Sequence, residues 1–356
     1  MLRVNFLQGF DGLVGIDFGA DSIKVVELED DGQKLRLKKC GLASLTGDCI
    51  VDGSVMNMAQ AQEELHNLLE RVGLLGRKAA FGVSGHNTIV KTISLPPMSQ
   101  EEFDSSIMLE AAGHIPYDIE EVYVDVQIIN PNVEGQLDVL LCAAKRDVVN
   151  EYAAIVRKAG AEPRVVDVNG FAMHNLFERL YGFPQSGAVA LIDLGASMTS
   201  IVIVRNGVVE FSRDIMLGGM LLTEQIQEKQ KLDFQKARDY QVALPSLNPE
   251  TITKQVSQLT HRVVSVLVTE IQRSLEFFNV TSVVRQKVSK VYITGGASET
   301  IGLIKELQER LEIPVERLDC FKGVEIDANR FGMNGIEFAL VKPTLAVAMG
   351  LALRRG

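Results

Sequence analysis

Two short stretches carry carboxylates, glycines and hydroxyls at matching places. In VGIDFGADSIKVVEL (14–28) they are Asp17, Gly19 and Ser22, followed by Lys24. In ALIDLGASMTSIVIV (190–204) they are Asp193, Gly195 and Thr199. Each stretch reads as an apolar strand, a D-x-G-A turn and a second apolar strand. Such a turn aims several backbone N–H groups into one concavity, and a nest of that kind binds phosphate oxygens. Gly19 and Gly195 lack the Cβ that would block a close approach. Asp17 and Asp193, at the strand ends, are hard oxygen donors suited to the waters around Mg²⁺. Lys24 adds a cation, and Ser22 and Thr199 add hydroxyl donors. Taken singly, a D-x-G turn serves an ordinary hairpin equally well. Two of them, half a chain apart, point to a polyphosphate gripped from both sides with a metal between. A third segment, VYITGGASETIGLIKEL (291–307), runs from a strand through Gly295-Gly296 into a helix, and its glycines let backbone approach a flat or charged ligand.

The elements around these turns must fill a large chain. The 356 residues leave room for two domains, and a hydrophobic fraction of 46% with 6% aromatics and no Trp implies a core of aliphatic side chains. A net charge of -10 argues against a nucleic-acid surface, which needs a basic face. Four scattered cysteines without C-x-x-C spacing read as free thiols of a reducing compartment, and the five histidines form no metal-ligand pattern. The first residues lack the long apolar stretch of a signal peptide. No run approaches the roughly 20 apolar residues of a membrane span. A cytoplasmic chain, attached to a membrane only through partners, is the expectation.

Alternation predicts strands at 34–45, 79–85 and 88–95, with a helix at 57–73 between the first two. Ser99 and Glu102 form an S-x-x-E capping box that opens a helix to about Gly113. Strands at 122–129 and 137–145 and a helix at 146–160 follow. The block 96–162 therefore reads as a compact αββα insertion. Residues 217–242 read as helical, interrupted after 242 by ALPSLNPE. Residues 251–278 read as one long helix with Ile252, Val256, Leu259, Val263, Leu267, Ile271, Leu275 and Phe278 on its apolar face. TLAVAMGLAL (344–353) suits a closely packed final helix. On the long helix, Glu270, Arg273, Ser274 and Phe277 share a face.

The three glycine-bearing segments, in this order, resemble the two phosphate motifs and the adenosine motif of the actin-like ATPase superfamily, in its FtsA-like branch. With VDVNGFAMHNLF and EIQRSLEFF, the resemblance is closest to the PilM family of type IV pilus assembly. It implies an α/β, duplicated actin-like (ribonuclease-H-like) fold. Its first lobe would be 1–95 and 163–187, with the insertion at 96–162. The second lobe would be 188–340, and a C-terminal helix at 341–356 would return to the first lobe. It implies ATP and Mg²⁺ as ligands. Asp17, Gly19, Ser22 and Lys24 would stand at the first phosphate motif, and Asp193, Gly195 and Thr199 at the second. Gly218 and Gly219 would lie near ribose and phosphates, and Gly295 and Gly296 at the adenosine loop. Glu270, Arg273, Ser274 and Phe277 would lie against the adenine and ribose.

The resemblance also implies partners: the cytoplasmic N-terminal peptide of PilN, pilus motor ATPases and other inner-membrane pilus components. Where PilM-like proteins commonly read D-V-E-P-F-A, this chain has Asp167-Val168-Asn169-Gly170-Phe171-Ala172. Asn169 is shorter than Glu and accepts no proton, which predicts weak or absent hydrolysis. Arg238 and Gln241 stand where relatives tend to place an acid and a Lys at the ribose. Two alternatives remain at this level: a small-molecule kinase with Asp167 as base, and an FtsA-like filament former.

Overall fold

VGIDF and ALIDL, the strands that open the two halves, are buried at almost every position, as strands flanked on both faces must be. The computed structural model describes residues 12–133, 135–184, 186–247, 252–282, 287–326, 338 and 341–354. In chain order the first half runs β1 (Val14–Phe18), β2 (Ser22–Asp30), β3 (Leu35–Ser44), β4 (Ile50–Val51), β5 (Ser54–Val55), α1 (Met58–Val72), β6 (Lys78–Val83), β7 (Thr88–Leu95), α2 (Gln100–Ala112), β8 (Val122–Val133), β9 (Gln136–Lys145), α3 (Arg146–Lys158), β10 (Glu162–Val168) and α4 (Asn169–Tyr181). The second half runs β11 (Ala188–Leu194), β12 (Thr199–Arg205), β13 (Val208–Ile215), α5 (Met220–Gln230), α6 (Phe234–Ala243), α7 (Lys254–Thr281), β14 (Val288–Thr294), α8 (Leu303–Leu311), β15 (Val315–Arg317), β16 (Val324–Ile326) and α9 (Ala346–Ala352).

The two main sheets have one plan. The first is ordered β10-β6-β1-β2-β3-β16 and the second β13-β12-β11-β14-β15. In each, an antiparallel three-strand meander joins a parallel strand at the edge of its first member: β6 beside β1, and β14 beside β11. This is the duplicated α/β fold that the sequence led us to expect. Among the described residues, no helix is long and apolar enough to cross a membrane.

The block after β6 differs in detail from the sequence reading. The capping box at Ser99 and Glu102 forms, and α2 follows it. But β7, placed before the insertion by its neighbouring prolines, pairs with β9 in a separate sheet ordered β7-β9-β8. And α3 buries Val148, Val149, Tyr152, Ile155 and Val156 in the core of the first lobe. The insertion's own sheet is thus β7, β8 and β9, while α3 belongs to the parent core. Residues 248–251, part of ALPSLNPE and the start of the long-helix reading, lie outside the described residues.

The long helix, α7, buries Val256, Leu259, Val263, Leu267, Ile271, Leu275 and Phe278 as its periodicity requires, and Ile252 packs beside them. Between the lobes lies a shared core. It joins Val26 and Leu28 of the first sheet to Val189, Leu191 and Val202 of the second through Met173 and Leu176 of α4 and Ala348 and Met349 of α9. Small residues make this approach possible. A Cβ on Gly350 would lie 1.9 Å from the Ala172 carbonyl oxygen, and one on Gly15 would lie 2.0 Å from that of Ala348.

Candidate functional site

The hairpin register decides which side chains each turn presents. In β1–β2, Asp17 pairs with Lys24 and Phe18 with Ile23. In β11–β12, Asp193 pairs with Ser200 and Leu194 with Thr199. Directly opposed residues of an antiparallel pair share a face. Each turn closes the same way: Gly19 N–H donates to the Ser22 carbonyl at 3.0 Å, and Gly195 N–H to the Met198 carbonyl at 2.9 Å.

The two turns line one cavity of about 120 Å³. Asp17, Gly19, Ser22 and Lys24 come from the first lobe, Asp193, Gly195 and Ser200 from the second, and Gly219, Gly295 and Gly296 complete the wall. Gly218 is not among the lining residues. It packs beneath them, where a Cβ would meet the Ala196 carbonyl oxygen at 2.4 Å. Gly219 N–H donates to the Gly195 carbonyl at 3.0 Å, so the 218–219 turn is fastened to the hairpin. Gly295 has φ +92°, and a Cβ there would stand 2.4 Å from Asp193 Oδ1. Only a glycine lets that loop lie against the carboxylate.

Thr199 and Ser200 sit on opposite faces of β12. Thr199 is buried and its hydroxyl donates to the Leu217 carbonyl at 2.7 Å, away from the cavity. Ser200 lines the cavity instead and donates to Asp214 Oδ1 at 2.6 Å. Sequence reasoning missed Ser200 and Asp214. The signal was the turn length, which sets the register. Asp214 also accepts the N–H of Gly85 at 2.6 Å, a bond from the second lobe to the first. Burial pushes its carboxyl up, against the pull of those two hydrogen bonds.

Charge at the centre of the cavity is not balanced. Lys24 Nζ donates to Asp17 Oδ2 at 3.0 Å, and both are buried. Asp193 has no such partner among the described residues. Burial first, and then the Asp17 carboxylate, push its carboxyl up to about 7, with Asp214 adding to the effect and Lys24 opposing it. Asp193 nevertheless keeps a partly exposed edge toward the cavity. Two carboxylates sharing one lysine are short of positive charge, and a divalent cation is what such a pair accepts. Among the described residues, no group of three or more His, Cys, Asp or Glu could hold a metal unaided.

Asn169 opens α4 and lines the same cavity beside Ser84. Its Nδ2 donates to Ser84 Oγ at 3.2 Å, whereas its Oδ1 is buried with no hydrogen-bond partner among the described residues. Arg238 and Gln241 line the opposite side. Arg238 forms a two-pronged pair with Asp21, its Nε and Nη2 at 2.7 and 2.5 Å from the two carboxylate oxygens. Gln241 donates to the Gly219 carbonyl at 3.0 Å and accepts from Thr223. Glu270, Arg273, Ser274 and Phe277 are not among the residues lining this cavity. Arg273 pairs with Glu270, Ser274 is buried and donates to the Glu270 carbonyl at 3.0 Å, and Phe277 is 55% exposed beside Phe211.

Asp167, the base a small-molecule kinase would need, is engaged elsewhere. Its side chain is fully buried, and both carboxylate oxygens accept from Arg354. It does not line the cavity. That removes the acid the kinase alternative required.

A second cavity, of about 710 Å³, lies between the insertion sheet, α4 and the β12–β13 hairpin. Ile128, Leu140, Phe171 and Val209 give it an apolar lining, and Asp125, His174, Glu178 and Arg354 give it charged and polar groups.

A profile of the family described as type IV pilus assembly protein PilM matches residues 15–356. The chain belongs to the PilM family. A solved structure of a PilM–PilN type IV pilus biogenesis complex is similar to it with TM-score 0.82 and 28% identity, over 96% of this chain and 98% of the other. MreB5 of Spiroplasma citri, solved bound to ADP, shares the fold with TM-score 0.52 and 12% identity, over 88% of this chain and 94% of the other. The cell division protein FtsA of Bacillus subtilis (strain 168) is 24% identical over 240 residues, 60% of this chain. The chain spans about half the length of FtsA, 53%. The fold is therefore that of the actin-like ATPases, as the repeated sheets already indicated.

Proposed function

We propose that this protein is a nucleotide-binding scaffold of the type IV pilus machinery that takes ATP with Mg²⁺ between its lobes. The single observation that carries this reading is the convergence of two D-x-G turns, one from each lobe, on one cavity. In this reading the turn N–H groups, Ser22 and Lys24 face the phosphates. Asp17 and Asp193 hold the cation through its waters, and the cation neutralises charge that the two carboxylates cannot share. Gly295 and Gly296 leave room for the nucleoside. Asn169 holds its amide toward Ser84 and offers no carboxylate to a water, so hydrolysis is slow or absent.

The partner follows from family membership and from the PilM–PilN complex, whose chain is similar over nearly its whole length. We assign the second cavity to an extended peptide, with the cytoplasmic N-terminus of PilN as occupant. Its apolar wall suits aliphatic side chains, and the open edge of β8 offers backbone groups. Pilus motor ATPases and other inner-membrane pilus components are the further partners of this reading, which places the protein on the cytoplasmic side and holds it at the membrane through them.

Calorimetric titration with ATP, with and without Mg²⁺, tests the first part. Saturable binding that needs the metal and is lost in Asp17→Asn supports it, and no binding at millimolar ATP overturns it. Single-turnover hydrolysis should be slower than about one per second, the lower edge of ordinary catalysis. Titration with a PilN N-terminal peptide against the wild type and Phe171→Asp tests the second part. Equal affinity for the two would remove this cavity from the peptide site.

A further inference from the structure

A contact between side chains far apart in sequence joins the two lobes at the wall of the cavity. Asp21 sits in the β1–β2 turn of the first lobe, and Arg238 on α6 of the second. Their two-pronged pairing is part-buried, with side chains 30% and 24% exposed, so water screens it less than a surface pair. The helix that carries the arginine is itself anchored. Gln241, one turn further along α6, is fastened to Gly219 and to Thr223 of α5, which fixes the helix against the second lobe. With this pair made, the cavity has a volume of about 120 Å³. Sites for nucleotide-sized ligands occupy about 300 Å³ or more. The cavity beside this pair is smaller than that, as a cleft drawn in by a contact between its lobes would be.

We propose that Asp21 and Arg238 form a latch across the cleft, whose opening admits nucleotide and whose closure sets how long it stays. This inference rests on the nucleotide reading above. Neither residue is assigned a contact with the phosphates or the metal. They act by holding one lobe to the other. Both residues line the cavity, while Asp214 and Gly85, which do not line it, join the lobes elsewhere. Breaking the latch should therefore let the cavity wall part there while the Asp214–Gly85 bond remains.

The test separates affinity from residence time. Full-length wild type is loaded with the fluorescent N-methylanthraniloyl derivative of ADP, and release is followed by stopped flow after chase with excess ADP. Arg238→Ala and Asp21→Asn should each speed release by about ten-fold, the factor given by ~1.4 kcal/mol of lost contact. Arg238→Lys keeps the charge but not the fork, and should fall between. Asp21→Arg combined with Arg238→Asp should restore slow release, which a simple loss of fold would not allow. Higher salt should speed release more in the wild type than in Arg238→Ala. Binding with the same release rate in all variants overturns the latch and leaves the nucleotide reading intact. No binding by wild type in the loading step overturns both.

Discussion

Replacing Asp193 by Asn should make the nucleotide-free protein more stable while disabling its site. The carboxyl is pushed from 3.8 to about 7, chiefly by burial and by the neighbouring Asp17 carboxylate. A shift of about 3 units corresponds to a ceiling of roughly 4 kcal/mol, at ~1.4 kcal/mol per unit. Contact with water along its cavity edge lowers this, and ~1–3 kcal/mol is the expected gain. The sign follows from proton binding. Between pH 4 and 7 the folded form holds a proton that the unfolded chain has released, so stability falls as pH rises through this window. Above about 7 both forms are ionised and the full penalty is present. The substituted amide carries no charge, so the variant should gain most at pH 8, and the gain should shrink steadily toward pH 4. Urea unfolding across this range measures it directly. Binding of ATP with Mg²⁺ should be lost in the same variant, because the cation loses one of its two carboxylates. A variant no more stable than wild type at pH 8, or a gain independent of pH, would refute the charge-deficit account of the cavity.

Four further variants test other parts of the structure. Gly295→Ala should cost about 1–3 kcal/mol in denaturant unfolding, from the left-handed backbone and the contact with Asp193. Gly296→Ala, whose Cβ would meet only Thr344 at 3.4 Å, should be nearly neutral. Arg354→Ala should cost roughly 3–5 kcal/mol, because it strands the buried Asp167 carboxylate, and adding Asp167→Asn should recover part of the loss. Arg273→Ala, at a side chain 66% exposed, should change stability by less than about 0.5 kcal/mol. If the α7 face stacks on the base when nucleotide is bound, its ADP affinity should still fall about three-fold. Unchanged affinity would remove α7 from the base site.

The turns were legible because their chemistry is local. D-x-G-A between two apolar strands names its own hairpin, and paired glycines after VYIT name a close approach. The duplicated fold followed from the repeat. What the residues hid was register and long-range pairing. Thr199 and Ser200 are adjacent hydroxyls, and one step of register exchanges which of them faces the cavity. The span of the turn fixed that choice in favour of Ser200. β7 looked like part of the first lobe because Pro96-Pro97 follow it, yet its hydrogen-bond partner is β9, more than forty residues later. Asp21 with Arg238, and Asp167 with Arg354, lie still further apart, and no pattern on either member announces the other. Arg238 was recognisable as a departure from its relatives; its actual partner was not.

One helix touches both of the cavities described above. α4 begins with Asn169 in the smaller one, and Phe171, His174, Asn175 and Glu178 along its flank wall the larger. Its other side is locked, backbone on backbone, to α9 through Ala172 and Gly350. A rod so tightly keyed offers one rigid body to two ligands, and measuring the affinity for peptide with and without nucleotide tells whether each feels the other.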